Sequence, residues 1–124
     1  MIWLTKDMVD GFHRESLARF GGAEGVRDTG LLESALARAQ NIFSYEPEAD
    51  VFRLAAAYCT GVVKNHPFID GNKRTGILSA IAFLSLNGID PDFDEATIVT
   101  MVAGLAAGEI SEDQLASWLR EACG

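Results

Sequence analysis

The chain has 124 residues and carries 10 basic against 18 acidic side chains, a formal net charge of -8. That balance excludes a surface built to neutralise a long polyanion or to rest on an anionic membrane, while 48% hydrophobic and 23% charged residues fit one globular domain over 1–124 rather than disorder. Cys59 and Cys123 form no CxxC pair, the start MIWLTKDMVD has no basic run before an apolar one, and no charge-free apolar stretch reaches membrane-spanning length, so the expectation is a cytoplasmic protein with no direct nucleic-acid or membrane partner.

The apolar pattern is helical almost throughout. Thr5 is placed to cap a first helix carrying Met8, Val9, Phe12 and Phe20, and Gly21-Gly22 ends it. Asp28 or Thr29 opens a second helix with Leu31, Leu32, Ala35, Leu36 and Ala39 on one face. Residues 40–50, QNIFSYEPEAD, break the period and predict a loop or a short extended flap. Asp50 opens a long third helix to about Asn65, apolar on more than one stripe and therefore central. His66-Pro67 interrupts it, because proline disfavours helix at the residue before it. A loop to about Asn72 leads to a fourth helix, Lys73 to Leu86, stopped by Asn87-Gly88. Asp94 is placed to cap a fifth helix through Ala107, closed by Gly108. Ser111 with Gln114 makes a capping box for a last helix bearing Leu115, Trp118 and Leu119. The fold class is all-α, a bundle of about six helices, with the third and fourth as its most buried pair.

The charge is unevenly spread. Residues 1–63 are net -3, residues 88–124 net -7, and residues 64–87 net +2. This cationic island contains NHPFIDGNKRTG, residues 65–76. His66 can accept a proton near neutral pH, and Asp70 is a hard oxygen ligand suited to magnesium. Gly71 lets a backbone approach a ligand. Asn72, Lys73 and Arg74 stand at a helix start, where unpaired N–H groups and the helix dipole favour an anion. Two cations there are unfavourable unless an anion compensates. Each residue has a plainer reading: a loop histidine, a turn aspartate, a turn glycine, a helix cap, surface charge. Phe68 reads as a core plug, and His13, in the first helix, as a surface or packing residue. Their combination between two buried helices points to phosphoryl or nucleotidyl transfer.

HPFIDGNKRTG resembles the signature of the Fic/Doc superfamily and, more closely, of its death-on-curing (Doc) toxin branch. His66, Phe68, Asp70, Asn72, Lys73 and Arg74 all match the Doc pattern HxFxDxNKR. Lys73 replaces the second glycine of the Fic pattern, and Ile77 stands where its second arginine would. GGAEGVRDTGLLESALARAQ, NGID and AAGEIS are also Doc-like. The resemblance implies the Fic/Doc fold and the toxin of a type II toxin–antitoxin pair, a protein kinase that uses ATP and magnesium to phosphorylate a threonine of elongation factor Tu. It implies that His66 deprotonates the hydroxyl and Asp70 helps hold magnesium. Gly71, Asn72, Lys73 and Arg74 would hold phosphates. It further implies an antitoxin whose tail docks as a helix in a groove, and a flap that docks the target by backbone pairing, for which Ile42, Phe43 and Tyr45 are the candidates. A Fic-type AMP transferase and a non-catalytic binding module are the competing readings.

Overall fold

The computed structural model describes residues 1–123 and contains six helices: α1 Lys6–Phe20, α2 Thr29–Tyr45, α3 Val51–Asn65, α4 Asn72–Leu86, α5 Glu95–Ala106 and α6 Glu112–Cys123. Local chemistry sets most of their ends. The Thr5 side chain accepts from Met8 N at 3.2 Å, Asp28 from Leu31 N at 3.0 Å and Asp50 from Arg53 N at 2.9 Å. Ser111 and Gln114 exchange both bonds of a capping box, at 2.7 and 3.1 Å. Gly21, Gly88 and Gly108 follow their helices with positive φ. α5 ends one residue before the expected Ala107, and α4 begins at Asn72, one residue earlier than expected. The N-cap of α4 is Gly71, not Asn72.

α3 is the axis of the bundle and packs against α2, α4, α5 and α6, while α1 lies on α4. Leu54 through Cys59, with Val62, are essentially sealed from solvent. Two glycines set how closely α3 meets its neighbours. A Cβ at Gly61 would lie 3.1 Å from the Ala35 backbone of α2. One at Gly76 of α4 would lie 2.9 Å from a Val63 methyl and 3.2 Å from the Cys59 carbonyl. The N-terminal segment is clipped to this core: Leu4 N donates to the Tyr58 hydroxyl, and the Asn87 amide pairs with both backbone groups of Ile2.

Residues 40–45 correct the expected loop over 40–50, because they form the last turns of α2. Leu32, Ala35, Leu36, Ala39, Ile42 and Phe43 continue one core-facing stripe, and the polar pair Gln40-Asn41 marks its solvent face rather than a break. Only residues 46–50 lie outside helix. Ile42 and Phe43 therefore pack on the core and offer no strand edge. α1 also differs in its face. Met8 and Phe20 are exposed, and Val9, His13 and Ser16 are the buried positions. No helix among the described residues is long and apolar enough to cross a membrane.

Candidate active site

The loop between α3 and α4 begins with a residue in an unusual conformation. His66 caps α3 in the left-handed region, φ 52° and ψ 53°. It is the one non-glycine with positive φ among the described residues. A side chain there costs about 1–2 kcal/mol, so the surroundings must hold it. The segment joining α1 to α2 does so. Arg27 donates from Nε to the His66 carbonyl at 2.8 Å and from Nη2 to the Asn65 carbonyl at 3.0 Å. The backbone N–H groups of Arg27 and Asp28 both donate to the Pro67 carbonyl, and Ile69 N–H donates to the Gly25 carbonyl. Val26 and Phe68 face each other as an isolated antiparallel bridge.

Inside the loop, Phe68 is 1% exposed and fixes it to the core. The Asn72 amide clasps both backbone groups of Phe68, accepting from its N–H and donating to its carbonyl at 3.0 Å each. Below them, His13 stacks on the Phe68 ring with centroids 3.9 Å apart. Its Nε2 lies 2.8 Å from the Asp70 carbonyl, an acceptor, so Nε2 carries the proton. The Asp70 carboxylate accepts from Gly71 N–H at 2.9 Å and Ala23 N–H at 3.3 Å. Both bonds aim it, and its remaining lone pairs are free for a ligand.

α4 then starts without a side-chain cap, behind Gly71 at φ 79°. Among the described residues no partner takes the N–H groups of Asn72, Lys73 or Arg74. Orphan donors and the positive end of the helix dipole therefore converge on the cleft, beside the exposed Lys73 ammonium. Arg74 is already engaged: its guanidinium lies 4.1 Å from the Phe20 ring centroid and pairs with Glu95 at 3.3 Å.

All six sequence candidates, His66, Asp70, Gly71, Asn72, Lys73 and Arg74, line one cleft of about 340 Å³, closed by Val63 and by Ala106 of α5. The Asn72 side chain is spent on the loop, so toward an anion this residue offers its backbone N–H. His13 and Arg27 are the site-building residues not found from sequence. His13 had a signal, because it falls on the stripe of Val9 and Ser16. Arg27 had none, since its partners lie 38 and 39 residues away.

The cleft suits a magnesium-bound polyphosphate. No cluster of three or more His, Cys, Asp or Glu side chains forms a metal cage among the described residues. A single carboxylate, Asp70, lines the cleft. Magnesium commonly binds through one or two carboxylates together with substrate phosphates.

Comparison with known proteins identifies the family. A family model described as the Fic/DOC family matches residues 3–84. The chain is 37% identical over 121 residues to a protein named protein kinase doc from Escherichia phage P1, covering 98% of this chain and 95% of that protein. It is 35% identical over 103 residues to a protein named toxin Doc from Mycolicibacterium smegmatis, covering 81% and 79%. Motif, fold and near full-length similarity together establish that the chain belongs to the Fic/DOC family.

Proposed function

We propose that this chain is a toxin of a type II toxin–antitoxin pair and acts as a protein kinase, phosphorylating a threonine hydroxyl of elongation factor Tu and so blocking translation. The kinase named in phage P1 and the toxin named in Mycolicibacterium smegmatis support this reading. The observation that carries it is the uncapped, cationic start of α4 beside His66 and Asp70. Magnesium-bound ATP supplies the transferable phosphoryl group when bound. His66 takes the proton as the hydroxyl oxygen bonds to the γ-phosphorus and the bond to the β-phosphate oxygen breaks. Asp70 would hold the magnesium ion. The N–H groups of residues 72–74 and the Lys73 ammonium hold phosphate oxygens.

For the target segment, the extended backbone of residues 23–27 offers an edge that residues 42–45 do not. Val26 faces Phe68 as a non-hydrogen-bonded pair, so its own N–H and carbonyl point away from the loop, and neither has a partner among the described residues. That is a free edge beside His66, and an extended segment can pair with it. For the antitoxin tail, the groove of about 440 Å³ between α1, α4 and the α4–α5 connection is the fitting place; Phe20, Ile77, Ile81 and Phe93 line it.

The test is incubation with purified elongation factor Tu, magnesium and ATP, read by intact mass. Addition of one phosphoryl group supports the proposal, and no gain on any translation factor refutes the substrate. ATP labelled at the γ-phosphate marks the target if the chain is a kinase, whereas α-label marks it if the chain is an AMP transferase. Full growth inhibition by both His66→Ala and Asp70→Ala would favour a non-catalytic binding module instead.

A further inference from the structure

We infer that Arg27 is the positioning residue that aims His66. The inference rests on the catalytic reading of His66 given above. Among the described residues nothing hydrogen-bonds the exposed His66 ring, so its direction follows from the backbone that carries it. That backbone is held on one side by the helix, through His66 N–H to the Val62 carbonyl at 3.1 Å. On the other side it is held by residues 27 and 28.

Three consecutive carbonyls, of Asn65, His66 and Pro67, emerge as α3 ends and lack helical partners. The Arg27 fork takes the first two, at 3.0 and 2.8 Å, and the backbone N–H groups of Arg27 and Asp28 take the third, at 2.7 and 3.0 Å. The rigid planar guanidinium spans two adjacent carbonyls at once, and a lysine ammonium does not reproduce that geometry. The positive charge also sits at the negative end of the α3 dipole. The arrangement thus locks the left-handed turn that turns the imidazole toward the start of α4. Arg27 itself is exposed, and its side chain contributes nothing to the core. A residue of that kind serves geometry more than stability.

The test compares wild type with Arg27→Ala and Arg27→Lys by steady-state phosphoryl transfer, thermal melting and backbone NMR of His66. The expected result for Arg27→Ala is a fall in kcat of about tenfold to a hundredfold, from loss of aim at the reacting atom. KM for ATP should stay within a factor of about two, since Lys73 and the α4 N–H groups are untouched. The His66 coupling constant and Cα shift should leave their left-handed values, and Arg27→Lys should recover part of both. An unchanged kcat, or a loss matched by lower Tm with His66 still left-handed, overturns the inference. If wild type transfers no phosphate to any acceptor, the kinase reading fails, and the NMR arm still decides whether Arg27 holds His66.

Discussion

The exposed His66 side chain lines the cleft while its backbone is pinned from two directions. Replacing the ring should therefore remove chemistry and leave the fold. His66→Ala is expected to lower transfer by about 10²–10⁴-fold, the usual contribution of a positioned base, with Tm nearly unchanged; kinetics and a melt on the same preparation check both. The two cysteines give a contrast at the same scale. Cys59 is sealed between α3 and α4, and burial pushes its thiol up to about 12. Cys123 is partly exposed, and desolvation raises its thiol as well. A maleimide-type reagent on the native protein should label Cys123 and spare Cys59 until denaturant is added, as peptide mass mapping will show. Six of the cleft residues were legible in the sequence because they fall within one short stretch, His66 to Arg74. It missed Arg27 because what makes that residue matter is a contact across the fold.

The α3–α4 pair carries the loop at its open end, so its spacing decides where His66 stands relative to the α4 start. Gly76 permits that spacing, with a hypothetical Cβ at 2.9 Å from Val63 and 3.2 Å from the Cys59 carbonyl. Gly76→Ala should push the helices apart and cost about 1–3 kcal/mol, as overpacking does, measured by urea unfolding. Transfer should fall with it. Element type was legible from local signals: Thr5, Asp28 and Asp50 cap as their positions suggest, and the Ser111–Gln114 box is in place. The end of α2 was not, because two polar residues and a proline two positions past the helix outweighed Ile42 and Phe43, whose stripe has meaning only once the core exists. The low exposure of His13 was obscured for the same reason: a histidine on an amphipathic helix reads as polar until Phe68 is stacked against it.

Across the whole molecule, ion pairs tie the ends of distant helices. Glu112 at the start of α6 receives Arg53 of α3 and also Arg38 of α2, the latter at 2.6 Å. Asp50, which caps α3, receives Arg120 of α6 at 2.7 Å. Hydrogen bonds from Arg120 are the main reason the Asp50 carboxyl titrates below its ordinary value of 3.8. A carboxyl held lower in the folded state than in the unfolded chain adds stability above about pH 4, and that gain disappears as pH falls through the lower, folded value. Asp50→Asn keeps an oxygen to cap the helix and removes the pair's charge. It should destabilise at neutral pH by less than about 1 kcal/mol, as suits a largely exposed pair, and the gap from wild type should close in acid; melts across pH 2–7 will read it (roughly the carboxylate range and above). Residues 21–28 are all exposed, yet they supply contacts that order the loop between α3 and α4, while the helices on either side are held by the core. A single protease cut near Gly22 would leave α1 docked on α4 and the bundle standing, but would loosen the connecting segment that keeps His66 and Asp70 in place. The molecule could thus be disarmed without being unfolded.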